Sequence, residues 1–346
     1  MFNLDNRFNT FMLPFYPGLD MGKRVSAIIK NINRKGAKNQ RINDLEGEFM
    51  DTPLETKKRI YTYLIIAFGL SSVFYYFIIA QGSMRAKDAP PYTLFLMWSP
   101  GIAALLTTFF YQRNLRGMGW GWGKTKYQLW SYGLPVLYGL AAYGIVWIAG
   151  LGGFPDPKFV EHASGQLKDL FGWTGLSATT VSLIAIAIDG TIGVLFSCVS
   201  ALGEEIGWRG FLVPHLIKVT SFTKTAFISG VVWSIYHYPI LIFADYNSGA
   251  PAWYSLICFT VLVFGASFAF AWLRLRSGSL WTGVILHASH NLFIQAIFDR
   301  ITADTGQTKY FIGEFGIMLA LVSVLVAYIF WRKRSELDNP INNAIS

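Results

Sequence analysis

Hydrophobic residues along the chain fall into long, nearly unbroken runs rather than the alternating or three-to-four spaced stripes of a soluble domain. A helix needs about twenty consecutive apolar residues to cross the hydrocarbon layer, and eight stretches meet that length: Ile60 to Ala80, Tyr92 to Tyr111, Leu129 to Leu151, Val181 to Leu202, Thr225 to Phe243, Trp253 to Leu273, Leu280 to Phe298 and Phe311 to Trp331. The pattern predicts an all-α, polytopic membrane helical bundle of about eight transmembrane helices. A transmembrane domain over residues 59–334 follows a basic N-terminal segment, 1–58, and precedes a short tail, 335–346. Before the first run, Val25, Ile28, Ile29 and Ile32 stand at helical spacing among Lys23, Arg24, Lys30, Arg34 and Lys35. That spacing suits either a basic helix lying at the membrane surface or a disordered basic tail.

Composition agrees with the membrane class, at 53% hydrophobic and 14% charged residues. Only Cys198 and Cys258 are present, both inside apolar runs, so no disulfide framework or Cys-rich metal site is expected. The net charge of +9 does not point to nucleic acid, because the basic residues lie in short segments between apolar runs. They report topology instead. With the N-terminus inside, 23 of the 29 Lys and Arg residues fall on the cytoplasmic side, Arg209 being one of them. The outside loops keep Arg85, Lys87, Lys158, Lys168, Arg300 and Lys309, and the longest of them adds Asp156, Glu161 and Asp169. Both termini are then cytoplasmic, and the plasma membrane of a prokaryote is the expected location. Residues 1–20 carry Asp5, Arg7 and Pro14 and do not read as a cleaved signal peptide.

Ionisable side chains are costly in hydrocarbon, so each one inside a run asks for a reason. In "SALGEEIGWRGFL", residues 200–212, Glu205 and Arg209 are one helical turn apart and Glu204 points about 100° away. One glutamate can be neutralised by the arginine while the other faces a cavity. Two adjacent carboxylates in a poorly hydrated site repel, which raises the affinity of one for a proton and suits it to general base work. The same spacing also fits an ordinary helix end at the cytoplasmic interface, with its charges in water. His237 lies in the middle of the fifth run, two residues before Pro239, and reads either as a hydrogen-bonded core residue or as part of a site. In "LHASHN", His287 and Asn291 share one helix face and His290 sits on an adjacent one. A network of hydrogen bonds between helices is the plainer reading of that stretch, and a functional site the sharper one. Asp189, about fifteen residues before the glutamates, lies roughly 22 Å away along a helix and is expected outside their site. His287 is placed roughly 10 Å and His237 roughly 18 Å below the cytoplasmic surface. All three sets can meet in a cavity open to the cytoplasm if the glutamates dip into the bilayer.

These stretches resemble the CPBP family, the CAAX-processing and bacteriocin-immunity type intramembrane proteases also called Abi proteins, whose motifs are EExxxR, FxxxH and HxxxN. Here they read Glu204-Glu205 to Arg209, Trp233 to His237 and His287 to Asn291, at intervals of roughly 28 and 50 residues. Trp233 stands where phenylalanine is usual. The likeness is strongest over about 181–298, which would be the catalytic core. It implies an endopeptidase cutting a membrane-associated, prenylated or unmodified, protein or peptide. By that resemblance Glu204 and His237 would activate a water, Asn291 and Arg209 would stabilise the oxyanion, His287 would hold the water or the glutamate, and Glu205 would orient Arg209. The family is commonly labelled metalloprotease. Glu204, His237 and His287 can supply the two histidines and one carboxylate of a catalytic zinc, whereas a water activated by glutamate and histidine needs no ion and no HExxH pair is present. The metal-free route is preferred and zinc stays open. Membrane lipids and a peptide or lipidated protein are the expected partners. A non-catalytic immunity or peptide-binding protein could use the same polar cavity, although such a protein would be expected to have lost Glu204, His237 or His287. A proton-coupled transporter would want paired broken helices, and only Asp189 hints at one.

Overall fold

The computed structural model describes residues 52–337, and the predicted basic helix around residues 25–32 lies outside them. The fold is an all-α polytopic membrane bundle, with no strand among the described residues. Three helices open it: α1 (Pro53–Ala80), α2 (Ala89–Gln112) and α3 (Thr125–Ile148). The longest predicted outside loop contains a further helix, α4 (Pro157–Phe171). Asp156 caps it by accepting from the amide of Lys158, with Pro157 in the first turn where a missing N–H costs nothing. Among α4 residues only Ala163 and Leu167 are buried, as suits an amphipathic helix at a membrane surface.

The fourth apolar run departs most from its predicted bounds. Instead of ending at Leu202, the chain stays helical from Ala178 to Val219 over 42 residues. It comprises α5 (Ala178–Ile188), a π-helical segment Asp189–Gly193, α6 (Val194–Glu205), a second π segment Ile206–Leu212 and α7 (Val213–Val219). Ser177 caps its start, accepting from the amide of Thr180. At 1.5 Å per residue this path is roughly 60 Å long, about twice the hydrocarbon thickness. The glutamates therefore lie inside the helical path and not at an exposed helix end. They can do so because Arg209 is itself buried and pairs with Glu205, so the charged residues do not have to reach water.

Then come α8 (Phe222–Phe243), capped by Ser221 and running through Pro239, and α9 (Ala252–Ser277), closed by Gly278 at φ 70°. The seventh run folds as α10 (Trp281–His290) followed by a π segment, Asn291–Phe298, and the eighth as the shorter α11 (Ile317–Arg332). Among the described residues six helices are long and apolar enough to cross a membrane: α1, α2, α3, the Ala178–Val219 path, α8 and α9. The predicted count of eight is not confirmed, because His287, His290, Asn291 and Gln295 make the seventh run less apolar and the eighth yields only 16 regular residues.

Close packing against α2 seats the glutamate-bearing helix. A Cβ on Gly203 would lie 2.7 Å from the Trp98 ring, and one on Gly207 would lie 2.6 Å from Pro100. Only hydrogen at those positions lets the two backbones approach. On the other side Tyr236 ties α8 to both α1 and α2: its hydroxyl bonds Ser71 at 2.7 Å and donates to the Leu96 carbonyl at 2.7 Å, while its own carbonyl accepts from the hydroxyl of Tyr75.

Candidate functional site

Glu205 and Arg209 meet across the junction of α6 with its π segment. The Nη1 of Arg209 donates to Glu205 Oε1 at 2.9 Å, and both side chains are fully buried. His287, brought in by α10, donates from Nδ1 to the same oxygen at 2.9 Å. The Arg209 guanidinium lies against two rings that meet edge to face, 4.3 Å from the centroid of Trp233 and 3.9 Å from that of Phe270. Its backbone carbonyl accepts from Nε of Arg274 at 2.7 Å. α10 comes close because its residue 283 is glycine: a Cβ there would lie 2.7 Å from Glu205 Oε2.

Glu204 points elsewhere, as the 100° offset between neighbours on a helix requires. Its Oε2 accepts two indole N–H groups, from Trp208 at 3.1 Å and from Trp233 at 2.9 Å. Trp233 is thus more than an aromatic stand-in for phenylalanine, since phenylalanine has no donor to offer. His237 sits one turn beyond Trp233, and its Nδ1 lies 3.0 Å from the Trp233 carbonyl. A carbonyl only accepts, so Nδ1 carries the proton, and in the neutral ring Nε2 holds the free lone pair.

Glu204, Trp233, His237, His287 and Asn291 all line one cavity of about 180 Å³. Arg209 and Glu205 do not line it; the rings of Trp233 and Phe270 flank the guanidinium. Asp189 also lies outside, at the start of its π segment, as the spacing along the helix predicted. Besides Glu204 and the two predicted histidines, the cavity holds a second polar cluster. Nε2 of His290 is 2.9 Å from Glu314 Oε1, Tyr246 donates to Glu314 Oε2 at 2.7 Å, and the Tyr138 hydroxyl meets His290 Nδ1. Glu314 was missed because it stands alone in "FIGEFG", with no partner at helical spacing, whereas His290 was visible in the sequence but had no evident mate.

The cavity is lined by Met84, Tyr246 and Glu314 from the connecting segments at the end of the bundle poor in basic residues. Glu204, His237 and His287 have the chemistry of zinc ligands, yet among the described residues no three His, Cys, Asp or Glu side chains are gathered closely enough to hold a metal ion.

Residues 189–293 match the family model described as Type II CAAX prenyl endopeptidase Rce1-like, an interval that contains every residue from Glu204 to Asn291 discussed above. A stretch of 136 residues is 29% identical to the CAAX prenyl protease 2 of Methanococcus maripaludis, covering 37% of this chain and 46% of that protein. The chain thus spans just under half the length of the curated relative it matches. Both findings bear out the family resemblance carried by the three motifs.

Proposed function

We propose that the protein is an intramembrane endopeptidase of the CAAX-processing type, acting on a membrane-associated peptide or lipidated protein. The observation that supports this most is the convergence of Glu204, His237, His287 and Asn291 on one enclosed, largely apolar cavity. In this reading a water sits between Glu204 and Nε2 of His237. The Glu204 carboxylate takes a proton from it as its oxygen attacks the scissile carbonyl, and the C–O bond forms as the carbonyl π pair moves onto oxygen. Asn291 donates its amide N–H to that oxyanion, where a dry site makes a fixed dipole count for more than in water. Collapse of the tetrahedral intermediate breaks the C–N bond, and the proton held on Glu204 passes to the departing nitrogen.

Glu205 takes no part in proton transfer. It anchors His287 through Nδ1 and Arg209 through Nη1, so Arg209 acts through Glu205 and the Trp233 and Phe270 rings rather than as an oxyanion donor. No step is routed through a metal, because the donors that could hold one are not gathered closely enough to share it.

The test is cleavage of a quenched fluorescent peptide panel, with and without a lipidated cysteine, by the purified protein in detergent. Glu204→Gln and His237→Ala are each expected to lower kcat at least about a hundredfold, the range seen when a general base is removed. Chelator should leave the rate unchanged; loss that zinc restores would assign the activation of water to an ion. A wild type inert across a broad panel would instead favour an immunity or peptide-binding protein using the same cavity.

A further inference from the structure

Trp233 contacts Glu204, His237, His287 and Arg209. Its indole N–H donates to Glu204 Oε2 at 2.9 Å, and its carbonyl accepts from Nδ1 of His237 at 3.0 Å. The Arg209 guanidinium lies over its ring, and the His287 ring stands edge-on to it at 5.4 Å. Trp208, one turn after Glu204, donates to the same carboxylate oxygen. Both indoles therefore converge on Oε2, while the carboxylate itself lines the cavity.

Resting on the proposed endopeptidase reading, we infer that Trp233 is a positioning residue: with Trp208 it holds Oε2 of Glu204 so that Oε1 is the oxygen presented to water, and its backbone carbonyl fixes the tautomer of His237. One residue thereby sets both halves of the water-activating pair. Two donors on one oxygen restrict rotation of the carboxylate. A carbonyl on Nδ1 keeps the His237 lone pair on Nε2. The two constraints are tied together, because the indole and the carbonyl belong to the same turn of α8.

Phenylalanine at position 233 keeps the aromatic wall and the backbone carbonyl and removes only the donor, so Trp233→Phe isolates the hydrogen bond. Two readouts apply to the full chain in detergent, with Trp208→Phe as the companion variant. The first is steady-state cleavage of whichever peptide the wild type cuts: Trp233→Phe should lower kcat about tenfold, the worth of one hydrogen bond to a charged group, with KM within about twofold. The second does not need activity. Dicyclohexylcarbodiimide reacts most readily with a carboxyl group that is not held by other partners, so mass spectrometry should find Glu204 modified faster in Trp233→Phe than in the wild type, and faster again when both tryptophans are replaced. Equal labelling of wild type and variants overturns the inference, as does an unchanged kcat or a loss carried wholly by KM. A wild type that cleaves nothing would sink the endopeptidase reading, and the labelling result would then decide the positioning role by itself.

Discussion

Arg209 illustrates how a charge survives inside this bundle. Its guanidinium has a carboxylate at 2.9 Å and two aromatic rings against it, yet Nε and Nη2 find no hydrogen-bond partner among the described residues, and neither does Oε2 of Glu205. Apart from His287, which shares Oε1 of Glu205, the two charges answer only each other, so removing Arg209 leaves the buried carboxylate without its cation. Arg209→Ala should cost about 3–5 kcal/mol, the usual penalty for an uncompensated buried charge, and a large drop in the thermal unfolding midpoint in detergent would show it. Gly283→Ala should be harmful for a steric reason, since its methyl group would meet Glu205 Oε2 at 2.7 Å. The expected result is a lower midpoint together with lost cleavage, checked by the same thermal scan and peptide assay. The Glu205 to Arg209 spacing was legible in the sequence because i and i+4 residues meet on any helix. The harm at Gly283 was not, because it depends on a helix some eighty residues away.

Among the elements, two of the three π segments adjoin the candidate site. One carries Arg209 and the other begins at Asn291. Widening a turn re-aims the side chains it bears, and such segments are frequent at functional sites. Hydropathy cannot reveal this, since the same residues have the same mean hydropathy whether they form an α turn or a π turn. It also cannot place the end of a helix whose charges are satisfied internally, which is why the fourth run was expected to stop at Leu202. Glu314 has a comparable role between elements: it joins the segment before α11 to α10 through His290, and to the segment after α8 through Tyr246. Glu314→Ala would remove the acceptor used by His290 Nε2 and by the Tyr246 hydroxyl in a buried place, at a cost of about 1–3 kcal/mol per lost bond. Glu314→Gln keeps an acceptor for Tyr246 and should recover part of the lost thermal stability.

For the whole molecule, the distribution of basic residues predicts an orientation. The loop holding Asn247 lies at the end poor in basic residues and contributes Tyr246 to the cavity lining, and Arg334 lies at the other, basic end. In a variant lacking Cys198 and Cys258, a cysteine at Asn247 should react with a membrane-impermeant maleimide in intact cells, and one at Arg334 only after permeabilisation. The reverse labelling would invert the orientation.

What the amino-acid order determined by itself is whatever depends on near neighbours: the membrane class, the succession of helices, the basic and non-basic ends, and the three clusters that carry chemistry. Hydropathy, turn spacing and loop charge all act over one span or one turn. Only the tertiary structure decided that Glu205 is shared by Arg209 and His287, that Arg209 is withdrawn behind aromatic rings, and that Trp233 reaches back to Glu204. It also joined His290 to Glu314 and brought that pair to the same cavity. Those contacts come from how helices are seated against one another, through hydrogen-only positions such as Gly203 and Gly283. No local pattern in the chain specifies which distant backbone will occupy the space a glycine leaves open.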